Sequence, residues 1–138
     1  MTIVVWLVEG TWEACVDAVR RLPDGPVALL HVIDDDVADA WAGAPAGLMG
    51  RGGGRGDVGA LEAAGRGLLE AALDRLGREA EVWLRAGRSE HVVVGACGAG
   101  DLLVMARDDP RPGPHSFGRA GRFVVDHVGC DVLVVRGG

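Results

Sequence analysis

The chain has 138 residues, 49% of them hydrophobic, and a formal net charge of −6 at pH 7. That length fits a single domain, 1–138, able to bury roughly 70% of its unfolded-chain surface. The acidic balance argues against nucleic acid as a partner, and no run approaches the ~18 consecutive apolar residues of a membrane span.

Met1-Thr2-Ile3-Val4-Val5 has no basic stretch ahead of its apolar residues. It reads as the start of a strand and not as a signal peptide, so the expected location is the cytoplasm. The apolar run Ile3–Val8 ends at Glu9-Gly10-Thr11, where Thr11 is placed to cap a helix over Trp12–Leu22. Pro23-Asp24-Gly25-Pro26 breaks that helix, and Val27–Ile33 is a second apolar run. Strands that are apolar throughout, separated by helical patterns, belong to a parallel sheet covered on both faces.

Asp34–Gly59 is different, with three aspartates followed by eight glycines and a short helix expected around Val37–Trp41. Its Gly-rich part, 43–59, has too few side chains to offset its ordering entropy and is expected to be a mobile surface loop. Gly54-Arg55-Gly56-Asp57-Val58-Gly59 matches GxGxxG by letter, but no strand precedes it, so the dinucleotide reading is set aside. Leu61–Gly77 repeats leucine and alanine at helical spacing and is the longest expected helix. A third strand over Ala80–Ala86, a short helix over Gly87–Ala96 with Ser89 as its cap, and a fourth strand over Asp101–Ala106 follow. A proline-rich loop, Arg107–Ser116, leads to a helix over Phe117–Val128 and a last strand over Val132–Val135. Right-handed crossovers place such helices on both faces of one sheet, a three-layer α/β/α sandwich, with ligands bound at the carboxyl ends of the strands.

Several features admit a bland reading. The three cysteines, Cys15, Cys97 and Cys130, are far apart in sequence and form no CxxC pattern, so buried free thiols are expected, with no disulfide and no metal site. All 14 Lys-or-Arg positions are arginine, and lysine, asparagine, glutamine and tyrosine are absent, which points to a GC-rich genome and discounts the arginines as signals. Ser116, in Pro114-His115-Ser116-Phe117-Gly118, falls one residue short of a G-x-S-x-G elbow and is read as a helix cap or a phosphate contact. His31 is read as packing, His91 and His127 as surface helix residues, and His115 as a charge that could face an anion. Trp12 starts the first helix beside the expected pocket; Trp6 and Trp83 are read as core or sheet-edge residues.

Five segments, in order, resemble the universal stress protein family. Val8-Glu9-Gly10-Thr11 is similar to the family's Val-Asp-Gly-Ser turn after the first strand, and Leu30-His31-Val32 to its Leu-His-Val. Gly87 with Ser89-Glu90 resembles the turn opening the third helix, and Asp101-Leu102-Leu103-Val104-Met105 the Asp-Leu-Ile-Val-Met strand. Arg122, Val124, His127 and Cys130, leading into Val132–Val135, resemble the terminal helix and strand. The resemblance implies a five-stranded parallel sheet of order 3-2-1-4-5, of the adenine nucleotide alpha hydrolase-like, Rossmann-like class, and a homodimer joined through the last strand. It further implies a stress-response regulatory role and, in the branch that binds ATP, a G-2x-G-9x-G-S/T loop after the fourth strand.

That loop is rewritten here. Ala106 and Asp109 stand where the first two glycines belong, Gly118 matches the third, and Arg119 replaces the Ser/Thr. Gly113 and Ser116 still offer a free backbone and a hydroxyl before the last helix, and Arg107, Arg111, Arg119 and Arg122 outnumber Asp108 and Asp109. On the resemblance, the residues that would meet a nucleotide are Glu9, Gly10, Thr11, Val32, Ala106, Gly113, Ser116, Gly118 and Arg119. Three readings follow: a regulatory binding protein with a protein partner and no nucleotide, an ATP or other adenine-nucleotide binder, and a slow nucleotide hydrolase. The missing glycines favour the first, and the lack of an evident general base or metal ligands near the loop disfavours the last.

Overall fold

The computed structural model describes residues 1–40, 54–107 and 117–137. Five strands, β1 (Ile3–Trp6), β2 (Val27–Asp34), β3 (Glu81–Gly87), β4 (Leu102–Ala106) and β5 (Asp131–Val135), form one parallel sheet in the order β3-β2-β1-β4-β5. Four helices connect them: α1 (Trp12–Arg20), α2 (Gly54–Leu76), α3 (Ser89–Ala96) and α4 (Gly118–His127). Residues 35–40, directly after β2, are also helical, in agreement with the short helix expected there. Boundaries lie within two residues of the expected ones except at α2. That helix begins at Gly54, so residues 54–59, expected in the Gly-rich loop, are helical; the remainder of that loop, 43–53, lies outside the described residues.

The unbroken apolar run of β1 follows from its central position. Ile3, Val5 and Leu7 point to one face, where they join Cys15, Val16 and Val19 of α1 and Leu68, Leu69, Ala72 and Leu76 of α2. Val4 and Trp6 point to the other, with Leu30, Val32, Leu103 and Met105 of the neighbouring strands, Val93 of α3 and Val124 of α4. Each buried aliphatic or aromatic side chain of this kind contributes about 1.5–3 kcal/mol, which makes the two apolar layers the main stabilising force. At the surface of the first layer, the Arg75 guanidinium grips both carboxylate oxygens of Asp17 at 2.9 Å, joining α2 to α1.

Register places the sheet's topological reversal between β1 and β4, where Ile3 pairs with Leu102 and Val5 with Val104. β3 and β5 are the edges. Trp83 lies on the β3 edge, with the Arg85 guanidinium 5.7 Å from its ring centroid. Among the described residues, no helix is long and apolar enough to cross a membrane.

Candidate functional site

A cavity of about 450 Å³ lies across the carboxyl ends of β1 and β2. This volume is in the range of small-molecule sites. Val8 and Glu9, just past β1, and Val32, Ile33 and Asp34, ending β2, form its floor. Leu61, Ala64 and Gly65 of α2 wall one side; Ser89 of α3 and Ala120 of α4 wall the other. The cavity thus sits beside the reversal of strand order, where parallel α/β sheets leave a crevice.

Gly65 is the reason α2 can approach. A Cβ there would come within 2.9 Å of Leu84 Cδ1 and 3.1 Å of His31 Cδ2. The His31 ring is held in place: its Nδ1 is 2.8 Å from the Leu7 carbonyl. A carbonyl only accepts, so Nδ1 carries the proton and Nε2 is left as an acceptor in the neutral ring. His31 therefore packs, as expected from its apolar strand, and also borders the cavity.

Asp34 is the fixed anion of the site. Its Oδ2 accepts the Ser89 backbone N–H at 3.0 Å and the Ser89 hydroxyl at 2.7 Å, and its Oδ1 accepts the Asp36 N–H at 2.8 Å. Burial pushes this carboxyl up, but the hydrogen bonds from Ser89 and Asp36 outweigh it and hold Asp34 below the usual carboxylate range. Ser89 is thus not the cap of α3 that its position suggested. The cap residue is Arg88, which makes no side-chain cap bond, and the carboxylate of Asp34 serves the exposed N–H from across the sheet end.

Thr11 requires a similar correction. It occupies the cap position of α1 but makes no side-chain cap hydrogen bond. The turn is closed by backbone instead, with the Thr11 and Trp12 N–H groups donating to the Val8 carbonyl at 3.2 and 3.0 Å. Gly10 makes that turn with φ +92°, a conformation natural to glycine. Thr11 packs against Gly137, where a Cβ would lie 2.7 Å from Thr11 Cγ2.

Of the residues singled out in the sequence, Glu9 and Val32 line the cavity, and Gly10 and Thr11 form the turn next to it. Ala106 ends β4, while Gly118 (φ +65°) and the exposed Arg119 open α4, which also contributes Ala120 to the cavity. Gly113 and Ser116, with Asp108, Asp109, Arg111 and His115, lie outside the described residues. Trp12 is not part of the wall: it packs on the α1–α2 core, and Trp6 borders the cavity from the other face. Asp34, Ser89, Gly65 and Ala120 also line the cavity, although nothing in the sequence singled them out for it beyond the place of Asp34 directly after the second apolar run.

No protein-family model matches the chain, and no curated protein sequence does. Solved structures do. The universal stress protein UspA from Lactobacillus plantarum superposes with a TM-score of 0.62 at 19% identity, over 99% of this chain and 97% of that one. A universal stress protein in complex with cAMP gives a TM-score of 0.65 at 15% identity, over 100% and 98%. A member of the universal stress protein family from Burkholderia pseudomallei gives 0.57 at 21%, over 99% and 96%. The chain has the universal stress protein fold. The strand order 3-2-1-4-5, with helices on both faces, is that fold's sheet as the resemblance implied it. Within the universal stress protein fold, the cavity here occupies the strand ends carrying Glu9 and Val32, two of the residues to which the resemblance had pointed.

Proposed function

We propose that this chain is a regulatory binding protein of the universal stress type, acting as a homodimer, whose cavity takes the base and ribose of an adenine nucleotide. The observation that carries the reading is the cavity itself: an apolar slot of nucleoside size at the carboxyl ends of β1 and β2, bordered by Val8, Val32 and Trp6. Apolar walls suit the faces of a purine, and the Glu9 carboxylate can accept hydrogen bonds from an exocyclic amine or ribose hydroxyls. The neighbour solved with cAMP supports the class of ligand. Phosphates would extend toward the start of α4, where Gly118, the helix terminus and Arg119 favour negative charge.

Binding, and not turnover, is the function proposed. Asp34 is already engaged by Ser89, which makes it an anchoring anion and a poor general base. Dimerisation through β5 is supported by its position. It pairs with β4 on one side only, and Val132–Val135 are each partly exposed.

The test is mass spectrometry of freshly purified, denatured protein for co-purifying nucleotide, followed by titration with ATP and cAMP. Retained or micromolar-affinity adenine nucleotide supports the proposal. Absence of binding by both would reject the nucleotide and favour a regulatory module acting through a protein partner.

A further inference from the structure

At the opposite end of the sheet from the cavity, the fold brings together two cysteines distant in sequence. Cys97 follows the last residue of α3 and Cys130 precedes the first residue of β5. Asp101 clamps the loop between α3 and β4: its Oδ2 accepts the Gly98 N–H at 2.8 Å, its Oδ1 the Thr2 N–H at 3.2 Å, and its own N–H donates to the Gly98 carbonyl at 3.0 Å. The next residue, Leu102, is the register partner of Asp131, which places Cys130 beside that clamped loop. Cys97 and Cys130 pack against the same apolar cluster, and both are half-buried; Cys15 is fully buried on the other face of the sheet. A second cavity, of about 440 Å³, opens here, and Cys130 forms part of its wall together with Met1, Asp101 and Asp131.

We propose that Cys97 and Cys130 form a reversible dithiol–disulfide site, oxidised by a hydroperoxide that enters this second cavity and meets Cys130 first. Cys130 sulfur, as thiolate, attacks one peroxide oxygen. The O–O bond breaks, Cys130 becomes a sulfenic acid, and the leaving hydroxide takes up a proton as water. Cys97 sulfur then attacks Cys130 sulfur. The S–S bond forms, the S–O bond breaks, and the second hydroxide leaves as water with the Cys97 proton. Two thiols and one hydrogen peroxide give one disulfide and two waters, and two electrons pass from the sulfurs to the peroxide. An external dithiol reverses the step by exchange.

The environment supports this order of events. Burial, and then the adjacent Cys130 through its charge and a side-chain hydrogen bond, push the Cys97 thiol up to about 12. Cys130 lines the cavity and Cys97 does not, so a peroxide entering there meets Cys130 first, and Cys97, its thiol disfavoured as a nucleophile by burial, follows as the resolving partner. The bond would tie the end of α3 to the root of the edge strand β5, both of which pack on the same apolar cluster.

The experiment treats the full chain with a small molar excess of hydrogen peroxide. Intact mass should fall by two hydrogens, non-reducing peptide mapping should recover a Cys97–Cys130 cross-linked peptide, and dithiothreitol should restore the starting mass. The Cys15→Ser variant should behave identically. Cys97→Ser should instead accumulate a sulfenic acid at Cys130 that dimedone traps, and Cys130→Ser should lose the reaction at least tenfold. Because both substitutions are small and lie outside the innermost core, circular dichroism can confirm that each variant is folded. An unchanged mass, a cross-link involving Cys15, or dimedone labelling of Cys97 in the Cys130→Ser protein at the rate seen for Cys130 would overturn the proposal. The nucleotide titration is independent of all these outcomes.

Discussion

The Asp34 carboxylate accepts both hydrogen bonds that Ser89 can donate, the backbone N–H at 3.0 Å and the hydroxyl at 2.7 Å. This pair joins the end of β2 to the start of α3 across one mouth of the cavity. Asp34→Ala leaves the first turn of α3 without its acceptor and should destabilise the fold by about 1–2 kcal/mol, while Ser89→Ala, which keeps the N–H bond, should cost about half as much. The loss is also pH-dependent. The folded carboxyl is more acidic than the unfolded one, so its contribution is complete above the unfolded value and disappears as pH falls through the folded value. The stability gap between wild type and Asp34→Ala should be constant from neutral pH down to about pH 5 and should close below about pH 4. Urea titrations across that range test both statements; a gap that widens in acid would contradict them.

Two glycines on the same helix should respond in opposite directions. At Gly65 a methyl group meets Leu84 and a His31 ring pinned to the Leu7 carbonyl, so Gly65→Ala should destabilise by about 1–2 kcal/mol after its helix-propensity gain is subtracted. At Gly67 nothing lies within 4 Å of the added atom, and Gly67→Ala should stabilise by about 0.5–1 kcal/mol. Paired denaturant melts decide this. Equal effects of one sign would mean that α2 does not press on β2 as described.

Ala64 lines the cavity yet is exposed, so it can be enlarged without disturbing either core layer. Ala64→Trp should lower affinity for ATP and for cAMP by at least about tenfold if the base end dominates recognition. Arg119→Ala should weaken ATP by no more than about threefold to tenfold, and less in high salt, because an exposed charge contributes on the order of 1 kcal/mol. Calorimetric titrations at two ionic strengths separate the cases. ATP binding that ignores Ala64→Trp would move the ligand out of this cavity.

Dimerisation has its own test at β5. Val134→Lys places a charge on the partly exposed edge strand, a substitution that edge strands use to prevent pairing. The wild-type chain should scatter light as a dimer at micromolar concentration and the variant as a monomer, with unchanged far-ultraviolet circular dichroism. A wild-type monomer would refute the homodimer.

How much of this was legible in the sequence depends on the range of the interaction. Ile3–Val8 could be read as a strand covered on both faces because the apolar run leaves no polar alternation, and the structure buries its residues Ile3–Leu7 in both core layers. Leu68, Leu69, Ala72 and Leu76 gave away α2 by their spacing, but its first residues did not, since Gly54, Gly56 and Gly59 are poor helix formers and carry no apolar face. Glu9 and Val32 were found through resemblance at the two strand ends that become the cavity floor. Asp34 was read as the first of three loop aspartates, because its partner Ser89 is 55 positions away and nothing local marks the pair. Cys97 and Cys130 were read as isolated thiols for the same reason: only the β4–β5 register makes them neighbours.

The first strand of the chain is also the middle strand of the sheet, and this sets the order in which the molecule can be made. β2 can pair with β1 early, but the other edge of β1 has no partner until Leu102–Ala106 has been synthesised. The Thr2 N–H waits for an acceptor on Asp101, 99 positions later. Until then the nascent chain holds an open row of hydrogen-bonding groups flanked by valine and leucine, an arrangement that recruits foreign strands. Closure of that long loop, and not the formation of any helix, should govern the folding rate, and a chain stalled before residue 102 should be a client for holding chaperones.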